Sequence, residues 1–161
     1  YLATCAASYH APSHRALTRT RPSVSVTFTR SSYVSSLTVF ARWITPTMMP
    51  KRFDTWFYVL HAPPGQVAAC DGRETVDAEW IAPAEAVRMA ASGERTIIFP
   101  TLMNLRLLAE AQTARECLDR AQARTLVTVL PEVTVRDGAR VLVIPPDAGY
   151  GDVSQPLSAL R

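Results

Sequence analysis

Acidic residues are missing from the first third of this chain: no Asp or Glu occurs before Asp54. The basic residues there, Arg15, Arg19, Arg21, Arg30, Arg42, Lys51 and Arg52, give residues 1–53 a charge of +7. The remaining residues hold all 14 acids against 10 arginines and so carry −4, which a net charge of +3 conceals. No carboxylate chemistry, whether metal ligation or acid–base catalysis, can come from the first 53 positions. A basic front can face nucleic acid or an acidic surface. It can also mark a segment never selected to fold, and two further features suit that. The first glycine is Gly65, and 14 of the first 40 residues are Ser or Thr.

Other absences narrow the class. No apolar run approaches the roughly eighteen residues of a membrane span, so a membrane protein is not expected. The 3 cysteines, Cys5, Cys70 and Cys117, are odd in number and scattered. They form neither a disulfide framework nor a zinc spacing, and a reducing cytoplasm is the simplest setting. His10, His14 and His61 have no Cys or carboxylate partners at ligand spacing. Gly149–Gly151 is too short for a phosphate cradle. Nucleic-acid binding would rest on the front charge alone, because no aromatic–basic interleaving accompanies it. What remains, with 48% hydrophobic and 19% charged residues over 161 positions, is one globular domain with a real core.

Organisation is uneven along the chain. Residues 1–36 show no sustained period and read as an irregular basic, Ser/Thr-rich segment, with a weak alternation at Val24, Val26 and Phe28. From Leu37 the pattern becomes regular. Leu37–Thr45 reads as a strand stopped by Pro46 and Pro50, and Phe53–His61 as a second strand, rich in aromatic and β-branched residues. The two are expected to pair antiparallel. Glu74–Ile81 alternates Val76, Ala78 and Trp80 against Asp77 and Glu79, which predicts a third strand.

Pro83 suits a first helical position, Glu85 the positive helix end, and Ser92-Gly93 a helix stop. A second helix is expected from Pro100 to about Arg124, with an apolar stripe of Leu102, Leu105, Leu108 and Ala109 and a Glu116–Arg120 pair. Glu132–Arg136 and Ala139–Ile144 flank Asp137-Gly138, a two-residue hairpin signal. Residues 147–161 read as a tail, mostly loop.

Several ordered segments carry a resemblance. FARWITP (Phe40–Pro46), RFDTWF (Arg52–Phe57), AEWIAPAEA (Ala78–Ala86) and FPTLMNL (Phe99–Leu105) occur in that order, followed by Val129–Ile144 and DAGY (Asp147–Tyr150). Together they resemble the Nudix hydrolase superfamily, in its longer branch related to acyl-coenzyme A diphosphatases. The resemblance implies an α/β fold, a mixed sheet flanked by helices, of which residues 37–146 are the C-terminal part. It implies a Mg²⁺-dependent hydrolase of nucleoside-diphosphate-linked, coenzyme A-like substrates. Family members use a helix bearing R-E-x-x-E-E, whose glutamates lie on one face and hold Mg²⁺ through hard oxygens. That box is absent, since Glu74, Glu79, Glu85, Glu94, Glu110, Glu116 and Glu132 contain no adjacent pair. No catalytic residue and no metal ligand is therefore assigned. The box is expected before Leu37, in the acid-free segment, as in a truncated or out-of-register product.

The resemblance points to Arg42, Lys51 and Arg52 as substrate-binding residues meeting phosphate. Asp54 is expected to cap or to pair with a neighbouring arginine rather than to ligate metal, and Trp43, Trp56 and Trp80 to pack in the core. Glu79 is the one candidate for a carboxylate outside the box. The expected function is thus that of a Nudix-family protein whose diphosphatase activity is lost. The alternative is a non-catalytic nucleotide- or phosphate-binding module.

Overall fold

The computed structural model describes the backbone of residues 2–10 and, with side chains, residues 37–62 and 79–159. These form a mixed α/β arrangement of two sheets and three α-helices. The expected weak strand around Val24–Phe28 lies outside the described residues.

The first sheet has the order β1-β3-β2-β4. β2 (Thr38–Ile44) and β3 (Phe53–His61) are the two strands expected from their aromatic and β-branched runs, and they pair antiparallel. Proline stops β2 as expected, and the loop is closed by hydrogen bonds from Thr45 N–H to Phe53 O (2.9 Å) and from Phe53 N–H to Thr45 Oγ1 (3.0 Å). A register shift between Val39 and Ala41 places a bulge at Phe40, which is why the consecutive residues Phe40 and Ala41 are both buried.

β1 (Leu2–His10) pairs antiparallel along the whole length of β3, from Leu2 opposite His61 to His10 opposite Phe53. This corrects the expectation that residues 1–36 are irregular throughout. Six of the nine residues of LATCAASYH, Ala3 to Ser8, are small, too uniform to show the alternation by which a strand is recognised. The short β4 (Thr128–Val129) lies parallel to β2, with Val129 opposite Trp43.

Three helices follow the sheet's first three strands. α1 (Pro83–Ser92) begins on Pro83 and ends at Gly93, whose φ of 78° is the left-handed stop expected there. α2 (Phe99–Ala109) and α3 (Ala114–Ala123) replace the single long helix anticipated from Pro100. The break comes from a cap that competes with continuation. Thr113 Oγ1 accepts from Glu116 N–H (3.1 Å), and Glu116 Oε2 accepts from Gln112 N–H (2.8 Å). The buried face of α2 is Phe99, Met103, Asn104 and Leu108, so the expected stripe is rotated, with only Leu108 of its members fully buried. No strand is seen at the described end of Glu74–Ile81. Glu79 to Ala82 are irregular and exposed, and Pro83 starts a helix immediately afterwards.

The second sheet is β5 (Glu132–Arg136), β6 (Ala139–Val143) and β7 (Ser154–Pro156). Asp137 (φ 51°) and Gly138 (φ 77°) supply the two positive-φ positions of a tight hairpin. β7 falls in the stretch expected to be loop. Its Pro156 donates no hydrogen bond, which an edge strand tolerates. The core lies between one face of the first sheet and the helices. Phe40, Ala41, Trp43, Phe57 and Val59 meet Phe99, Met103 and Leu108 of α2, Cys117 and Ala121 of α3, and Ile144 and Ala148 beyond β6. Among the described residues no helix is long and apolar enough to cross a membrane.

Candidate functional site

Strand alternation gives β2 and β3 two chemically different faces. Ala41 and Trp43 point into the core, and Arg42 between them points to the opposite side. Arg42 stands directly across from Trp56 of β3 and diagonally from Asp54, so the pleat gathers the three side chains. The Arg42 guanidinium lies 4.7 Å from the Trp56 ring centroid. Its Nε and Nη2 donate to Asp54 Oδ1 (3.0 Å) and Oδ2 (2.7 Å) in a two-point fork. The pairing of Asp54 with a neighbouring arginine is as expected. These hydrogen bonds, with the carboxylate charge, hold Arg42 more firmly protonated than usual against a smaller opposing effect of burial. Arg42 is therefore pre-oriented, with Nη1 directed away from Asp54.

Arg52 and Lys51, the other two residues assigned to phosphate, are not gathered around Arg42 in the same way. Arg52 Nε donates to the Thr45 carbonyl (3.0 Å), tying the loop to the end of β2. The Lys51 ammonium folds over the ring of Phe53 at 5.0 Å. Phe53 alternates with Asp54, so this stack belongs to the other side of the strand. Lys51 is exposed and Arg52 half-buried.

The core face of β2 carries a polar element of its own. Trp43, 3% exposed, donates from Nε1 to Tyr150 Oη (3.2 Å), and Tyr150 Oη donates to Asn104 Oδ1 (2.6 Å). Phe99 and Tyr150 both meet the Trp43 ring edge-on, with centroids at 5.9 and 5.3 Å. Burial raises the Tyr150 pKa above its ordinary value, with Arg124 and the Trp43 hydrogen bond opposing, so the phenol stays a neutral donor. Asn104 Nδ2 has no hydrogen-bond partner among the described residues. Neither Asn104 nor Tyr150 was assigned a role from sequence, though both stand in segments that carry the resemblance, FPTLMNL and DAGY.

Trp80 is a correction. It is 42% exposed, on the irregular approach to α1, and does not pack in the core as Trp43 does. Trp56 is half-buried beneath Arg42.

Among the described residues, the carboxylates next to the sheet and helices do not fit a Mg²⁺ site. Asp54 uses both oxygens on Arg42, and Glu79 pairs with Arg95 (2.9 Å) rather than standing free as a ligand. Glu85 and Glu94 share Arg88, at 2.7 and 2.8 Å, while Glu110 and Glu116 share Arg120, at 3.5 and 2.7 Å. Among the described residues no group of three or more His, Cys, Asp or Glu side chains is placed to hold a metal ion. Each of these acids is neutralised by an arginine, and none converges on a common point with another pair.

Compared with models of known protein families, with curated proteins and with solved structures, the chain matches none.

Proposed function

We propose that this chain is a Nudix-type domain that binds a nucleoside-diphosphate-type ligand, coenzyme A-like in class, and does not hydrolyse it. The observation that carries the binding is the Arg42–Asp54–Trp56 cluster. A guanidinium fixed by a carboxylate and an aromatic face loses little freedom when it meets phosphate. Nη1, which takes no part in the fork, offers charge-assisted donors, and the half-buried Trp56 offers an aromatic surface for a base. The Nudix-type arrangement is supported by a convergence. FARWITP, FPTLMNL and DAGY, far apart in sequence, supply Trp43, Phe99, Asn104 and Tyr150 to one buried node. The chemistry of the described carboxylates supports the reading without turnover. Diphosphate hydrolysis of this kind draws its water activation and charge stabilisation from Mg²⁺, and the acids described above are committed to arginines.

Titration of the chain with ADP, with and without Mg²⁺, tests this through tryptophan fluorescence and released phosphate. Saturable quenching is expected, weakened about tenfold or more in R42Q/D54N, since a hydrogen bond to a charged group is worth about 1.5–3 kcal/mol. The double variant keeps a neutral cross-strand hydrogen bond, so the sheet is preserved. Mg²⁺-dependent phosphate release that a chelator abolishes overturns the non-catalytic reading. No binding at millimolar ADP overturns the binding and leaves Arg42 as a cross-strand pin.

A further inference from the structure

A second arginine stands over aromatic rings on the core side of the sheet, in different circumstances. An open cavity of about 220 Å³ lies between Phe40 of β2, the α2–α3 junction, α3 and the turn at Gly149. Its floor is apolar, made by Phe40, Leu107, Ala111, Cys117 and Ala121. Cys117 is buried, and desolvation, with a smaller contribution from Glu116, pushes its thiol above the ordinary value despite Arg120. The sulfur is therefore a neutral wall, not a nucleophile.

Arg124 closes one side. It follows the last residue of α3 with extended backbone (φ −76°, ψ 134°), which turns its side chain back over the sheet. The guanidinium carbon lies 4.8 Å from the Tyr150 ring centroid and 5.5 Å from that of Phe40, and Nη2 donates to the Ala148 carbonyl. Gly149 borders the guanidinium and has φ +77°, a conformation that favours glycine; a Cβ there would stand in ordinary contact with Arg124 Nη2 at 3.4 Å. The ion pairs among the described residues use Arg42, Arg88, Arg95, Arg115, Arg120 and Arg136. Arg124 has none among the described residues, although it is half-buried. Glu110, also on the cavity wall, is turned to Arg120.

The geometry points to a binding site for a small organic monocarboxylate, aryl or short-chain alkyl, whose carboxylate meets Arg124 and whose apolar body covers the cavity floor. A half-buried guanidinium without a counter-ion is costly, and a planar carboxylate matches its donor fork. The size follows from volume. An apolar cavity of about 150 Å³ takes up benzene, so about 220 Å³ accommodates a benzene ring with a carboxylate. A phosphate dianion is a poorer match, because Arg120, the other arginine on the wall, is held by Glu110 and Glu116, which leaves Arg124 alone to face two charges beside the Glu110 carboxylate. This site does not rest on the nucleotide reading, since Arg124 and Arg42 serve opposite faces of the sheet.

The test is ¹⁹F NMR titration of the full chain with 4-fluorobenzoate and with its neutral isostere 4-fluorobenzamide. Benzoate is expected to bind about ten- to a hundredfold more tightly, the range of a hydrogen bond to a charged group. In R124Q that preference disappears. In A111L, which places a larger side chain in the cavity and keeps Arg124, both ligands are weakened together. Equal binding of the two ligands to the unaltered chain, or binding of neither, overturns the proposal. So does benzoate binding unchanged in A111L, a variant that serves even if R124Q does not fold.

Discussion

The two faces of β2 solve the same problem, a polar group against an aromatic ring, in opposite ways. On the covered face Trp43, Tyr150 and Asn104 are linked by neutral hydrogen bonds and bear no charge. On the other face Arg42 and Asp54 form an ion pair over Trp56, with about a quarter to a third of each side chain in water. Solvent explains the difference. A buried charge must recover a desolvation cost of several kcal/mol, whereas a half-exposed pair keeps part of its hydration. Neutral donors are thus the stable choice beneath the helices, and a guanidinium is stable where water still reaches it. Arg124 lies between these cases, half-buried and charged but without a carboxylate, and for that reason it marks a site.

The sharpest way to break the comparison is to delete the ring from each face. Trp43→Ala is expected to cost about 3–5 kcal/mol in urea unfolding, because it removes a fully buried ring and opens a cavity beside Phe99 and Tyr150. Trp56→Ala, on the half-exposed side, is expected to cost much less. Equal losses would mean that the face of Arg42 is as much a core as the other.

Next in size is Tyr150→Phe, which leaves Trp43 Nε1 without its acceptor and Asn104 Oδ1 without its donor. The expected cost is about 1–3 kcal/mol. The phenol also brings a pH signature. Its folded pKa is raised from 10 by burial, so its contribution is fully present below pH 10 and is lost as pH rises through the folded value. The fall in melting temperature above pH 10 should therefore be shallower in Tyr150→Phe. An identical alkaline profile would place the phenol in water rather than in the node.

These residues also measure how far the sequence could be read. β2, β3, α1 and the Asp137-Gly138 hairpin were legible because each has a local cause: a run of β-branched and aromatic residues, a proline start, a glycine stop, two positive-φ positions. β1 was not, since a strand of small residues takes its place from β3 and not from its own pattern. The break between α2 and α3 was written in Thr113-x-x-Glu116, a capping signal hidden under a continuous helical period. In the site, an arginine partner for Asp54 was among the readings of the sequence, but that the partner is Arg42 follows only from the register of β2 and β3. Tyr150 and Arg124 could not be placed that way, because they reach the sheet across the chain by tertiary packing.

A smaller effect sharpens the ionic side. Asp54→Asn keeps a hydrogen-bond acceptor near Arg42 and removes the charge, with an expected cost of at most about 1 kcal/mol for so exposed a pair. Raising salt should narrow the difference from the unaltered chain, while the Tyr150→Phe difference should not respond. If salt moved both alike, the division between a charged and a neutral face would fail.

The smallest expected effect lies at the end of α1, where an exposed ion-pair cluster has about half of each side chain in water. Arg88 donates to Glu85 and to Glu94, and Ser92 Oγ donates to Glu94 Oε1 (2.6 Å) next to the Gly93 stop. Hydrogen bonds from Arg88 first, then Ser92, lower the Glu94 pKa from 4.5 to about 2, and Arg88 lowers Glu85 as well. A depressed carboxylate stabilises the fold above its unfolded value, and that contribution is lost as pH falls from about 4.5 through about 2. Side-chain carboxyl NMR should find Glu94 titrating near pH 2, and Arg88→Gln should return both glutamates toward the ordinary range. Because every partner is exposed, the accompanying change in melting temperature should be slight and vanish in high salt. A Glu94 midpoint at the ordinary value would show that exposed arginines do not hold carboxylates here. The half-exposed Arg42–Asp54 fork would then owe its order to the sheet and Trp56 more than to charge.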